Sequence, residues 1–316
     1  MVSDRSKDLS LHCRINYDLL TFDLVIIPMN IRETIRRRFS IRHYESRPVP
    51  DEILKSVMKS GEKSLALDDS IKVHFHLIRE GKLVAEQMTF LTGKQWLFGS
   101  APHFIIATSQ EKPLFMINMG FRMEQMILFA AGQGLGTCWI GGLFTEQRIS
   151  AFLGLEKGER VIALTPLGYP DASSYGRAIH GIIHLGAPDS RRRKPLEQIV
   201  FGSRWGSPLE TQDSGLLEVL ECTRLAPSWV NTQPWRFLVD KDEIIAVADA
   251  KSRYSSVRDG KHYYRLDVGI AMAHFFLAAK ELGSVGKWDV TGFDPAQVAE
   301  QHAIPEGYEV LGIYRG

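Results

Sequence analysis

The chain has 316 residues, 44% of them hydrophobic and 24% charged, and a formal net charge of +1. This balance fits a globular chain of one large domain or two ordinary ones, and it argues against a dedicated nucleic-acid binder, which carries a strong basic excess. Three cysteines (Cys13, Cys138 and Cys222) with no CxxC spacing point to reduced thiols in a cytoplasmic protein, and no apolar run is long enough to cross a bilayer.

Along the chain, Tyr17 to Met29 is apolar but broken by Asp18 and Asp23, a poor secretory segment. Met29 followed by Asn30, Ile31 and Arg32 reads as a good start. Residues 1–28 are therefore expected to be an N-terminal extension, non-essential or arising from a misassigned start. Ile31 to Arg38 has the pattern of a short amphipathic helix. After the proline turn PVP, Asp51 is expected to cap a helix whose apolar positions Ile53, Leu54, Val57 and Met58 recur at helical spacing. IKVHFHLI alternates as a strand, and APHFIIATS has the compact apolar run of a central strand. MINMGFRMEQMILFAAGQGLG is the longest helical signal, and its glycines suit a helix stop. TCWIGG follows as a short strand or turn, then VIALTPLGYP as a buried strand.

The same order then returns. SGLLEVLECTRLAPS reads as a helix, PWRFLVD and EIIAVAD as strands, LDVGIAMAHFFLAAKELG as a long apolar helix, and KWDV follows. At one fixed offset, without a gap, Gly120 matches Gly269, Met123 matches Met272, Gly134 matches Gly283 and Trp139 matches Trp288. Glycine at both ends and a tryptophan beyond the stop favour an internal duplication over two unrelated buried helices. The expected organisation is an extension over 1–28, a first half over 29–190 and a shortened second half over 191–316. APDSRRRKP is the most linker-like stretch between the halves.

Three segments carry the chemistry. In RRFSIRHY (Arg37 to Tyr44), Arg38, Ser40 and Arg42 alternate with Phe39 and Ile41. An extended backbone would put two guanidinium groups and a hydroxyl on one surface, suited to an anion or polar heterocycle. In APSWVNTQPWRF, Pro227 and Pro234 stiffen a loop that offers Ser228, Asn231 and Gln233, while Trp235 and Phe237 bury its base. In GTCWIGG, the adjacent Gly141 and Gly142 after Trp139 and Ile140 let backbone N–H groups approach a flat ligand. The ten histidines carry no HExxH and there is no GxSxG, so neither a metal site nor a serine nucleophile is indicated. GQGLG closes a helix instead of opening one, which makes it a poor dinucleotide fingerprint.

Together, RRFSIR with PVP close behind, APSWVNTQPWRF, and LGTCWIGG followed by ALTPLGYP resemble the FMN-dependent nitroreductase family over roughly Met29 to Val290. That family forms homodimers with two interfacial FMN sites. The resemblance implies an α+β fold of two related halves, each a mostly antiparallel sheet flanked by helices, folded as an intramolecular pseudo-dimer. It implies an FMN site using Arg38, Ser40, Arg42, Trp139, Ile140, Gly141 and Gly142 from the first half. Pro227, Ser228, Asn231 and Gln233 come from the second. Arg191 and Arg193, in the run Arg191 to Lys194, are either phosphate ligands or part of a solvated linker. The reciprocal site lacks its motifs: the first half reads SGEKSLALDDSIKVHF, and the second VFGSRWGSPLE and GKWDV. One FMN per chain is expected. The implied activity is ping-pong oxidoreduction with flavin N5 carrying the chemistry, NAD(P)H as donor and a flat electron-poor acceptor of nitroaromatic or quinone type. The alternatives are a non-catalytic flavin store or sensor, or a specialised chemistry such as dehalogenation or flavin destruction. The expected form is a monomer acting as a pseudo-dimer, with a higher oligomer left open and no nucleic acid or membrane partner.

Overall fold

The structure is a computed structural model that describes residues 30–88, 101–142, 144–171, 192–251 and 260–316, with the backbone of 21–22, 25–26 and 257–258. The expected boundary at 190/191 and Arg191 lie outside these residues. So does the expected extension, apart from β1 (Thr21–Phe22) and β2 (Val25–Ile26), which pair antiparallel.

The first half runs α1 (Ile31–Arg37), α2 (Asp51–Glu62), β3 (Val73–Ile78), α3 (Gly81–Gln87), β4 (His103–Gln110), α4 (Phe115–Gly132), β5 (Gly136–Thr137), α5 (Glu146–Leu153) and β6 (Glu159–Gly168). The second runs β7 (Val200–Phe201), α6 (Ser214–Arg224), β8 (Trp235–Asp240), β9 (Glu243–Asp249), β10 (Val257–Arg258), β11 (Lys261–His262), α7 (Tyr263–Glu281), β12 (Lys287–Asp289), α8 (Pro295–Gln301) and β13 (Tyr308–Arg315). One sheet has the order β3-β4-β6-β5, the other β8-β9-β13-β12, and in both the neighbouring strands are antiparallel. The two orders correspond strand for strand. The second sheet gains β7, which pairs parallel with β8 through Val200 opposite Phe237.

Helices α4 and α7 are buried on nearly every side, as their largely apolar sequence requires. They cross at glycines. A Cβ at Gly120 would fall 2.2 Å from the Leu266 carbonyl oxygen, and one at Gly269 would fall 2.2 Å from that of Ile117. The offset that carries Gly120 to Gly269 also carries Ile117 to Leu266, so the contact is reciprocal about a local two-fold axis. One continuous core joins α4, α7 and the inner faces of both sheets through residues such as Met119, Met123, Ile127, Phe237, Met272 and Phe275.

Most elements fall where hydrophobic periodicity places them. Asp51 is a correction: Pro50 holds the cap position, Asp51 makes no capping hydrogen bond, and its carboxylate pairs with Arg79. The ion pair wins because Asp51 is already inside the first turn. The periodicity reading also passes over α3, α5, α8 and β13. The three helices have at most eight residues each, and β13 carries a register shift between Val310 and Gly312 that interrupts its alternation.

The start of α1 ties the halves together. Glu281, at the end of α7, accepts the Ile31 N–H at 2.6 Å, the Arg32 N–H at 3.2 Å and Arg32 Nε–H at 2.6 Å. A carboxylate there satisfies helix N-terminal donors and opposes the positive end of the dipole. Glu281→Ala should cost about 1–2 kcal/mol, because the group is charged but partly exposed. Urea unfolding should show a lower midpoint at an unchanged slope.

Candidate functional site

The end of α1 delivers the arginine motif. Arg38 turns the chain into extended conformation (φ −64°, ψ 131°). Ser40 then bridges Thr137 in parallel, and the Ile41 N–H donates to the Thr137 carbonyl at 2.8 Å. Gly136 permits this approach, since a Cβ there would lie 2.7 Å from Ile41. The arginine motif and the glycine turn are thus adjacent pieces of one surface. Ile41 is buried, as the alternation predicts.

The Arg38 side chain is only 4% exposed and lies 3.9 Å from Glu124 Oε1, and its Nε has no hydrogen-bond partner among the described residues. Arg42 is half-buried and makes no hydrogen bond or ion pair among the described residues. Buried guanidinium donors left unmet are costly, and an incoming anion would meet them. Glu124, fully buried on α4, also accepts Trp139 Nε1–H at 2.6 Å and lies 2.9 Å from His274 Nε2 on α7.

The polar loop follows α6. Its base is buried as expected: Trp235 and Phe237 are fully enclosed and Pro227 is buried. The backbone is strained, with positive φ at Val230 (39°), Asn231 (58°) and Gln233 (50°). Asparagine tolerates this region and valine does not, and each such residue costs on the order of 1–3 kcal/mol. Such strain persists only where neighbours hold it, and here they are specific. Asp267 Oδ2 accepts the Trp229 N–H at 3.1 Å, and Ser228 Oγ accepts the Gln233 N–H at 2.9 Å. Gln233 is buried, accepts the Lys194 N–H at 2.8 Å and donates to Arg192 O at 3.3 Å, so its side chain braces the loop from behind. Asn231 accepts from Arg193 Nη1 at 3.0 Å and donates to Arg192 O at 2.7 Å. The basic run from Arg192 to Lys194 is therefore packed on the loop.

Lys194 Nζ donates to the carbonyls of Thr232 (2.9 Å) and Gln233 (3.1 Å). Burial, with Arg236 close by, lowers its pKa from 10.5 to about 8. Between these values the unfolded chain binds more protons than the folded one. This residue's contribution to stability should therefore rise with pH from about 8 to 10.5. Comparing wild type with Lys194→Met by thermal unfolding across that range tests it: the difference curve should slope in this direction.

Glycine turn and polar loop meet through α7. A Cβ at Gly141 would lie 2.7 Å from Tyr263 Cε1, and the Tyr263 ring stands 6.5 Å from that of Trp229. Trp139 and Ile140 connect this contact at Gly141 to the Thr137 bridge of the arginine motif, and Ile140 pairs with Leu164. The corresponding region of the second half is closed by its own side chains. Asp289 Oδ1 takes the N–H groups of Thr291 (3.1 Å) and Gly292 (2.7 Å) just past Trp288. In the first half, the segment matching the polar loop is pinned to α4: Asn118 accepts the Leu67 N–H at 2.8 Å and Gln125 that of Leu65 at 3.1 Å. A hollow of about 360 Å³ lined by Ala250, Tyr264, Pro295, Tyr308 and Val310 contains none of the predicted site residues.

Sequence reasoning missed Glu124, His274, Tyr263 and Asp267. The available signal was charge: Glu124 and Asp267 interrupt otherwise apolar helices, and a charge there needs a partner.

A family profile described as "Putative TM nitroreductase" matches residues 30–279. A "Putative NADH dehydrogenase/NAD(P)H nitroreductase" of Methanothermobacter thermautotrophicus is 31% identical over 150 residues, 45% of this chain and 78% of that protein. A protein of the same description from Archaeoglobus fulgidus is 24% identical over 144 residues, 43% of this chain and 83% of the relative. Each relative is thus mostly covered by less than half of this chain. A crystal structure described as a putative nitroreductase from Thermotoga maritima aligns with TM-score 0.55 and 21% identity, over 91% of this chain and 93% of that one.

Proposed function

This chain belongs to the nitroreductase family whose profile it matches over residues 30–279, and from that membership we propose that it is an FMN-dependent oxidoreductase using NAD(P)H to reduce a flat, electron-poor acceptor such as a quinone or nitroaromatic. The observation that carries this reading is Arg38, a nearly buried guanidinium whose Nε lacks a hydrogen bond, beside the glycine turn. This donor set suits a phosphate-bearing, flat heterocyclic cofactor. Arg38 and Ser40 would hold the phosphate and ribityl chain, and Arg193 reaches the same loop from the connector. Arg42 would face the pyrimidine edge, Ser228 and Asn231 the opposite side, and an N–H of Gly141 or Gly142 the N5 position.

When bound, FMN supplies the hydride chemistry, accepting from NAD(P)H at N5 and passing electrons on. The protein's own part is to bind, orient and exclude water. Gly141 lets the buried Tyr263 ring pack against the turn, and that ring stands beside Trp229 of the polar loop. The strained loop is held by Asp267, so its polar groups are set before a ligand arrives. The curated relatives' description as NADH dehydrogenase/NAD(P)H nitroreductase supports a nicotinamide donor.

The test is anaerobic mixing of the FMN-loaded protein with NADH or NADPH, followed by a quinone. Bleaching of the flavin absorbance by one donor and its recovery on adding quinone are expected. No bleaching with either donor would leave a flavin-binding protein without turnover.

A further inference from the structure

We propose that Glu124 and His274 form a buried pair that holds one proton between the two halves, positions Trp139, and leaves the charge of the neighbouring Arg38 unneutralised. His274 Nδ1 faces the Cys222 carbonyl oxygen at 3.0 Å. A carbonyl only accepts, so Nδ1 carries a hydrogen. His274 Nε2 faces Glu124 Oε1 at 2.9 Å. Without a proton there, two lone pairs would confront each other in a site with no solvent, since both residues are fully buried. One proton therefore lies between Nε2 and Oε1. Whichever atom holds it, the pair is neutral overall.

Two consequences reach the cofactor site. The other carboxylate oxygen, Glu124 Oε2, accepts Trp139 Nε1–H at 2.6 Å and so fixes the residue that leads into the glycine turn. Arg38 lies 3.9 Å from Glu124 Oε1, yet it faces a pair with no net charge. Its positive charge is therefore not neutralised and stays available to an anion.

The duplication supplies an internal control. The position matching Glu124 is Ala273, and the residue matching Trp139 is Trp288. Trp288 is buried, more deeply than the partly buried Trp139, and its Nε1–H goes to the Met272 carbonyl at 3.1 Å. Burying this tryptophan in this fold does not need a carboxylate. Glu124 occurs in the half that carries the arginine motif, and in that half alone its helix position is acidic.

The inference rests on the FMN reading, and its test separates the two. The full chain is labelled with ¹⁵N at histidine and tryptophan, and FMN affinity is titrated in parallel. In wild type, His274 should show Nδ1 protonated, with a shared proton at Nε2. In Glu124→Gln the amide keeps the acceptor for Trp139 and donates to Nε2, so the ring should become neutral with hydrogen on Nδ1 only, and FMN affinity should stay within about threefold. In Glu124→Ala the Trp139 indole signal should shift and FMN affinity fall roughly tenfold or more, the size of one lost charged hydrogen bond. A neutral His274 protonated on Nε2 alone would overturn the proposal, as would a folded Glu124→Ala that binds FMN like wild type. Should Glu124→Ala fail to fold, the Glu124→Gln affinity and the wild-type ring signals still decide the matter. Wild-type protein that binds no FMN would overturn the cofactor reading instead, leaving the ring signals to judge the pair.

Discussion

Gly269→Ala should destabilise the protein by on the order of 3 kcal/mol or more, and Gly120→Ala by a similar amount. Ordinarily glycine to alanine inside a helix is favourable by roughly 0.5–1 kcal/mol. Here the new methyl would sit 2.2 Å from a backbone carbonyl oxygen on the facing helix, far inside contact distance. A backbone atom cannot swing aside as a side-chain tip can. The helices must move apart, and the packing between α4 and α7 loosens along its length. That penalty exceeds the propensity gain, so the sign is destabilising. Urea midpoints report it directly, and a variant as stable as wild type would refute the close crossing. Since the contact is reciprocal, the double variant should cost less than the sum of the singles: the first methyl already creates much of the separation that the second needs.

FMN should bind at one equivalent per chain, and Arg38→Ala should weaken it by roughly thirtyfold to a few thousandfold. Removing one member of a buried, hydrogen-bonded charge pair costs about 2–5 kcal/mol, and each ~1.4 kcal/mol is a factor of ten. Arg38→Lys should recover only part, because an ammonium lacks the planar fork. Titration by flavin fluorescence gives both numbers. The single equivalent follows from asymmetry in the donors. The turn amides of Thr291 and Gly292 already serve Asp289, and the loop segment at Leu65 and Leu67 already serves Gln125 and Asn118. A ratio near two would show that these groups give way to a ligand.

Much of this was legible in the sequence, for identifiable reasons. The matched glycines of the two long helices gave away the duplication, because a close helix crossing tolerates no other residue and so marks the same position in both copies. Trp235 and Phe237 declared themselves as the base of the loop by aromatic type and strand alternation. What escaped was everything that depends on partners distant in the chain. Glu124 and His274 are 150 positions apart, and each alone looks like an odd polar residue on an apolar helix. Gln233 looked like a ligand-facing amide. Only the fold shows it turned toward the connector, where Lys194 and Arg192 occupy it. Asp51 looked like a cap because capping is judged from local sequence, and its partner Arg79 comes from beyond the next strand.

The helix crossing that joins the two halves is made within one polypeptide. A site assembled from separate subunits is lost by mass action when the protein is diluted below its dimer dissociation constant. In the proposed FMN site the partner surface is tethered within the same chain at a fixed effective concentration. Occupancy should therefore depend on free ligand alone, with no dependence on how much protein is in the tube, even at nanomolar levels.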